Sequence, residues 1–437
     1  MKRLEDVPGP TLWAADGAYW AYRWLSDPAD AHITMRARFG PRFRLPSNKP
    51  GWNLVLADAE SVRELLALDP RCFAEPAIGR EALSAVLGSE SVFLLAGDRH
   101  RRARQLLGPA IIGERLGGLL EMMWRTVQRW TLAGSTTGVV DLLPAMRDIT
   151  LEVMLHALLD PISDEELARS RSVLRAPLDD APARLLFLPA LQRSWLPAWR
   201  RFEALRSARD AFLLERVRTA EPATDGGLLS RLVQRNPREP AEQLRDHLVT
   251  MLVAGHDTTA MVAACALDAL ARDPKIASEL REELGDEGTP KRLAAKTPLL
   301  DAVCKEALRV FPVATEAVRT VGSEKVAVGE VELEPGTNVF IAIPAVHKDA
   351  DLYPSPQQFD PARFLRRPYE SHEFLPFGAG HRLCLGWALA TLELRCVIAT
   401  VVTACDLAPV TSRRPKLRRY NLGMGPDTQV PVRLTRR

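Results

Sequence analysis

The chain is short of cysteine and of long apolar runs, and each scarcity closes off a class of protein. Its 437 residues hold six Cys, at positions 72, 265, 304, 384, 396 and 405, with no CxxC pair. That spacing argues against a structural zinc site and against a disulfide scaffold, so buried thiols are the default for most of them. The N-terminus, MKRLEDVPGPTLWAADG, has no apolar core of the kind a secretory signal needs. No stretch reaches the roughly eighteen uninterrupted apolar residues of a membrane span. The expectation is a cytoplasmic protein without a membrane anchor. Net charge is scarce too: 58 basic against 55 acidic residues leave +3, too balanced for a dedicated nucleic-acid binder. Lysine is rare among the cations, with nine Lys to forty-nine Arg and none between Lys49 and Lys275. Repeats, linkers and low-complexity tracts are lacking as well.

What is present is globular in kind: 46 % hydrophobic and 26 % charged residues, enough to bury a large core. Phe43–Leu45 and Asn53–Leu56 read as a hairpin across SNKPG, and DAESVRELLAL as a helix capped by Asp58. Residues 70–97 read as a long irregular connector. From about 98 to 319 apolar residues recur at three and four, and the longest helix should run from near Pro240 to about Arg272. VAVGEVELEPGTNVFIAI alternates and carries turn residues, so it reads as strands. The pattern predicts one domain over 1–437, mainly α with a minor β part: helix-rich from about 58 to 320, mixed from about 321 to 437.

The most informative segment is PFGAGHRLCLG, residues 376–386. Gly378 and Gly380 allow a tight turn, and Cys384 sits just before a helix, where unpaired backbone N–H groups favour thiolate over thiol. Phe377 can shield a thiolate from water, Gly386 lets backbone approach a flat ring, and Arg382 can pair with a carboxylate. The bland alternative is a buried Cys in a glycine-rich turn. FGAGHRLCLG resembles the cysteine-ligand signature FxxGxRxCxG of the cytochromes P450, the thiolate-ligated haem proteins.

Further motifs resemble that family in the expected order. In KEALR, Glu306 and Arg309 lie three apart on one helix face, a weak signal alone; by resemblance they form a structural lock with Arg363 of PARF. AGHDTT, residues 254–259, falls in the long helix. Gly255 removes a side chain, Thr258 and Thr259 can bond back to the preceding turn and open the helix, and Asp257 is ionisable in an apolar stretch. A polar face of a surface helix is the competing reading. The resemblance makes this the oxygen-binding groove, with Ala254 and Gly255 against the cofactor, Thr258 bonding dioxygen and Asp257 relaying protons; His256 has no matching role. His100 and Arg104, four apart in GDRHRRARQLLGP, otherwise read as a solvated basic helix; by resemblance they join Arg319 and Arg382 on the haem propionates.

The resemblance covers essentially the whole chain. It implies a triangular prism of about a dozen helices around a buried haem b, with small sheets and Cys384 on the iron. It implies a monooxygenase that inserts one oxygen atom of O2 into a C–H bond. Electrons would come from NAD(P)H through a separate ferredoxin or flavodoxin and its reductase, the enzyme being a monomer. The apolar candidates for a substrate wall are Ile78, Val92, Phe93, Leu186, Phe187, Val253, Val313, Ala314 and Thr315, though any could be core. Glu316 is the polar oddity beside them. A steroid or terpenoid is favoured as substrate, with fatty-acid or polyketide hydroxylation as runners-up. Basic residues, Arg101, Arg102, Arg125, Arg129 and a tail group from Arg413 to Arg419, could steer an acidic partner or simply be solvated. Peroxide-driven relatives lack the acid–alcohol pair, which argues for O2. The rival of another class is a non-catalytic haem sensor.

Overall fold

The computed structural model describes residues 1–11, 15–46, 51–74, 80–111, 115–132, 138–159, 163–179, 192–221, 227–235, 238–285, 289–420 and 423–437. The chain forms two compact units, each assembled from three stretches: Met1–Ile78, Pro298–Cys384 and Arg413–Thr428 in the first, Gly79–Thr297, Leu385–Ser412 and Gln429–Arg437 in the second.

The first unit is built on a five-stranded sheet in the order Arg42–Pro46, Trp52–Leu56, Asn338–Ala342, Glu316–Val321, Phe73–Ala74. Trp52–Leu56 pairs antiparallel with the first strand and parallel with Asn338–Ala342; the remaining pairs are antiparallel. Successive side chains on a strand point to opposite faces. Leu54, Leu56, Val339 and Ile341 accordingly pack with Val62 and Leu65 of helix Ala59–Leu66. Val55 and Phe340, on the other face, pack with Trp20, Ala31 and Met35 of helices Ala15–Ser26 and Pro28–Phe39. A sheet covered on both faces holds its strands firmly, and one of them carries Arg319. Asp58 caps its helix as the sequence predicts, accepting from the Ser61 amide at 2.7 Å.

The second unit is organised by the long helix Ala241–Arg272, whose 32 residues at ~1.5 Å each span about 48 Å. Pro240 precedes it, as the sequence predicts. It packs against helices Leu142–Leu159, Pro197–Thr219 and Trp387–Ala404. Its second half, with Ala260, Ala263, Ala264, Ala266 and Ala271 buried, is lined by small residues that let helix backbones come close. Helix Leu142–Leu159 is apolar around most of its circumference, which only a buried helix tolerates. By length and composition two helices could cross a membrane, Ala241–Arg272 and Trp387–Ala404, but 67 and 56 % of those stretches lie buried inside the fold.

Two expectations need correction. The connector 70–97 contains a helix, Arg80–Leu87. Its Val86 and Leu87 are buried, and its last carbonyls are met from another helix: Arg206 donates to Ala85 O at 3.0 Å and Arg209 to Val86 O at 2.9 Å. Arg residues there do what a local cap would otherwise do. The long helix runs unbroken through AGHDTT, where opening was expected.

Candidate functional site

The cysteine loop belongs to the first unit. Gly378 and Gly380 have φ of 68° and 65°, a region open to glycine and strained for other residues. They fold the loop back so that the Cys384 amide donates to Phe377 O at 2.9 Å, and Leu383 N to Gly380 O at 3.0 Å. Cys384 is exposed at the end of this turn, unlike the buried Cys265, Cys304, Cys396 and Cys405. Burial pushes the Cys265 and Cys396 thiols up to about 12, so they are inert thiols. Helix Trp387–Ala404 begins three residues after Cys384, capped by Gly386, and a Cβ on Gly386 would meet no protein atom within 4 Å.

Arg319 comes to the same loop from the sheet. It is 5 % exposed and donates to Ala379 O at 2.9 Å and Val318 O at 3.0 Å. Both partners are neutral carbonyls; among the described residues no carboxylate reaches it. Burial and the Arg382 guanidinium push its pKa down to about 10. A buried guanidinium that meets no carboxylate among the described residues is costly unless an anion binds there. An exposed thiol in the same unit as a buried guanidinium whose described partners are only carbonyls fits a haem with propionates. Phe377, Gly378 and Arg382 are half-buried in this loop.

Behind the loop, Glu306, Arg309 and Arg363 meet. Arg309 donates to Glu306 at 2.7 and 2.8 Å, and Arg363 Nε to Glu306 Oε1 at 3.1 Å. The rest of the Arg309 fork is taken by the carbonyls of His347, Pro356 and Gln358. All three side chains are essentially without solvent exposure.

In the second unit the long helix carries the other polar group. Thr258 Oγ1 donates to Ala254 O at 2.6 Å, a back-bond within the helix. Ala254 is exposed, and Val253 and Thr258 are half-buried. Asp257 Oδ1 accepts from Arg147 Nε at 2.8 Å, and Arg147 Nη2 reaches Asp179 at 2.8 Å. A Cβ on Gly255 would lie 2.6 Å from the Met154 sulfur on the neighbouring helix. On helix Gly97–Ile111, His100 is 7 % exposed and Arg104 half-buried.

Of the substrate-wall candidates, Ile78, Leu186 and Phe187 lie outside the described residues. Val92 and Thr315 are buried, Val313 is half-buried, and Ala314 and Phe93 are exposed, Phe93 by 57 %. Glu316 turns away from the surface: Trp24 Nε1 donates to it at 2.6 Å, His32 Nε2 lies 3.4 Å away, and burial pushes it up to about 7. The basic tail is largely committed internally. Arg413 pairs with Asp427 at 2.7 Å, Arg418 pairs with Asp27, and Arg419 donates to Leu25 O at 3.0 Å. Arg101 and Arg125 remain exposed, paired within their own helices with Asp98 and Glu121.

Sequence reasoning missed four groups around Asp257 and its neighbours: Arg147, Asp179, Thr150 on helix Leu142–Leu159, and His256 itself. It also missed Glu393, buried in helix Trp387–Ala404, whose carboxyl burial pushes far above the usual carboxylate range against the opposing hydroxyl of Thr259. The signal for Glu393 was available, since it is a lone acid in WALATLELRCVIATVV, the same cue that singled out Asp257. Nothing marked Arg147 or Thr150.

Comparison with known proteins follows the same lines. The family model described as Cytochrome P450 matches residues 8–430. The Mycobacterium tuberculosis protein described as "Putative cytochrome P450 135B1" is 31 % identical over 98 % of this chain and 92 % of its own length. "Putative cytochrome P450 138" from the same species is 30 % identical over 86 and 84 %. Among solved structures, retinoic acid-bound cyanobacterial CYP120A1 superposes with a TM-score of 0.81 at 22 % identity, covering 95 % of this chain and 97 % of that one. A zebra fish cytochrome P450 with abiraterone gives 0.78 at 23 %, over 94 and 100 %.

Proposed function

The chain belongs to the cytochrome P450 family of haem-thiolate monooxygenases, and on that premise we propose that it hydroxylates a compact lipophile, a steroid or terpenoid. The reaction consumes the substrate C–H, O2, two electrons and two protons, and releases the alcohol and water. The observation that carries the reading is the loop ending in exposed Cys384 beside Arg319, a buried cation that meets only carbonyls among the described residues. Haem b, when bound, supplies the redox chemistry that splits dioxygen and delivers one of its atoms.

The chain's own residues have the remaining tasks. Cys384 is the iron ligand, and Phe377 limits water at its sulfur. His100, Arg104, Arg319 and Arg382 hold the carboxylates. Thr258 and Asp257 hold and move protons. A proton delivered early or to the wrong oxygen releases peroxide, so their placement governs how much reductant ends in product. Ala254, Val253, Val313 and Thr315 border the substrate, which must be mostly apolar to match them. Electrons come from NAD(P)H through a separate ferredoxin or flavodoxin and its reductase. The enzyme works as a monomeric single domain in the cytoplasm.

The test is an optical titration of the oxidised holoenzyme with steroids, sesquiterpenes and fatty acids. A Soret shift to shorter wavelength with the polycyclic compounds and not the acids supports the proposal. A shift with the acids alone overturns the substrate class. Replacing Thr258 by Ala should raise peroxide released per NAD(P)H; unchanged coupling would sink the proton-delivery role.

A further inference from the structure

Helix Ala241–Arg272 carries Asp246, Thr250, Ala254 and Thr258 four residues apart, hence along one face. Ala254 and Thr258 belong to the proposed oxygen groove. Asp246 and Thr250 are buried, and both engage a single turn of the chain, residues 88–93.

Asp246 Oδ2 accepts from the Glu90 amide at 3.0 Å, and Oδ1 accepts from Arg245 Nε and Nη2 at 2.8 and 2.5 Å. Gly88 makes room for this carboxylate. Its φ is 87°, and a Cβ there would fall on the Asp246 carboxyl group itself. One helical turn on, Thr250 Oγ1 lies 2.7 Å from Ser91 Oγ and 2.6 Å from Asp246 O. With one proton per hydroxyl, Ser91 donates to Thr250 and Thr250 donates to the carbonyl. Ser91 Oγ in turn accepts from the Phe93 amide at 3.2 Å. The segment just before the turn is held as well, since Arg206 and Arg209 take the carbonyls of Ala85 and Val86.

The turn presents something unlike what anchors it. Ser91, Val92, Leu94 and Leu95 are buried, whereas Phe93 among them is 57 % exposed. Enclosing a carboxylate is a costly way to hold a turn whose other apolar residues are already covered. It makes sense where one side chain must stand at a set place. We propose that Asp246 and Thr250 are positioning residues for the substrate wall: they lock the 88–93 turn onto the long helix and so fix where Phe93 stands. This rests on the reading of Phe93 as substrate-facing. A fixed aromatic ring selects apolar ligands by width, and a loose one grips each of them less. Asn cannot stand in for Asp246. The carboxylate offers an acceptor oxygen to each of two sets of donors, whereas an amide offers one oxygen and turns its own donor on the other set.

The test uses the oxidised, haem-loaded protein and two iron ligands, imidazole and phenylimidazole, each followed by the optical shift it gives on binding. Imidazole lacks the ring that a wall would grip. D246N should weaken phenylimidazole by about tenfold, the loss of one hydrogen bond to a charged group, and T250V by about fivefold, its lost bond being neutral. Both should leave imidazole within about twofold. Adding S91A to T250V should cost little more, because the two changes remove one contact. Thermal midpoint and haem content are measured on the same samples. Equal weakening of both ligands with a lowered midpoint would mean that the clamp only stabilises the fold, and overturns the proposal. If F93A weakens phenylimidazole while D246N and T250V do not, the positioning role alone fails. If F93A leaves phenylimidazole unchanged, the reading of Phe93 fails and the proposal with it. Should D246N not fold, T250V, which leaves no charge unpaired, decides the matter.

Discussion

Two helix carboxylates, the buried Glu306 in the first unit and the part-buried Asp257 in the second, receive opposite treatment. Glu306 has no solvent exposure and accepts four hydrogen bonds, from Arg309 twice, Arg363 Nε and the Asp360 amide. Arg309 in turn spends every N–H of its guanidinium on Glu306 and on three carbonyls. Asp257 is 16 % exposed, holds one strong bond from an Arg it shares with Asp179, and leaves Oδ2 open. A saturated ion cluster has no capacity to take up a proton without breaking bonds; it can only hold chain segments together. A carboxylate with one spare, water-reachable oxygen can change its protonation with the helix around it intact. Saturation sets the buried ion cluster apart from the proposed relay.

The comparison breaks most visibly on removal of the two acids. E306Q would strand two buried guanidiniums, at a cost of about 3–5 kcal/mol, and should yield little haem-loaded protein. D257N should change stability by about 1 kcal/mol or less, since Arg147 keeps Asp179. Its effect belongs in turnover, with product formation down by about a hundredfold, the usual worth of a placed proton donor. Thermal unfolding, haem content and product per NAD(P)H measured on both variants decide it. Equal stability losses would erase the distinction.

A sharper contrast sets Arg309 against Arg319, both buried in the first unit. Arg309 has its carboxylate; among the described residues Arg319 has only carbonyls and a repelling Arg382. R319L should therefore leave the cofactor-free chain as stable as before, or more so, while speeding haem transfer to an acceptor protein by about tenfold. A destabilised apoprotein with normal haem retention would mean that Arg319 is structural.

Legibility in the sequence follows locality. The cysteine loop could be read outright because the turn glycines, Arg382 and Cys384 are contiguous, and Glu306 with Arg309 lies within one helical turn. Helix and strand character also showed, since Val55, Phe340 and their neighbours alternate. Strand partners did not: nothing local says that Trp52–Leu56 lies parallel to Asn338–Ala342. The surroundings of Asp257 were hidden for the same reason. Arg147 is 110 residues away and Thr150 lies 106 from His256, on a helix whose pattern is nearly all apolar. Arg363 was placed only by resemblance. Val86 and Leu87 were taken as loop because the arginines that complete their helix, Arg206 and Arg209, come from far along the chain.

A last contrast, confined to acid pH, concerns the histidines flanking the two carboxylates. His347, whose carbonyl binds Arg309, accepts from the Leu375 amide through Nε2 at 2.9 Å. Its pKa is pushed down to about 3, first by burial and then by Arg309. Adding a proton to Nε2 would set two donors against each other. His256, beside Asp257, is held down to about 4 by burial. In both cases the unfolded chain, titrating near 6.5, binds a proton that the folded chain refuses. Stability contributed by the neutral rings is thus complete above pH 6.5 and is lost on acidification towards 4 and then 3. Each ring adds about 1.4 kcal/mol per pH unit inside its window. H256Q should flatten the acid limb between pH 6.5 and about 4, and H347Q should flatten it down to about 3. The lock would then show the longer acid limb, as expected for the more completely enclosed site. Denaturant unfolding from pH 7 to about 3 checks it, and an unchanged slope in H347Q would mean that His347 takes up its proton without opening the contacts around Glu306.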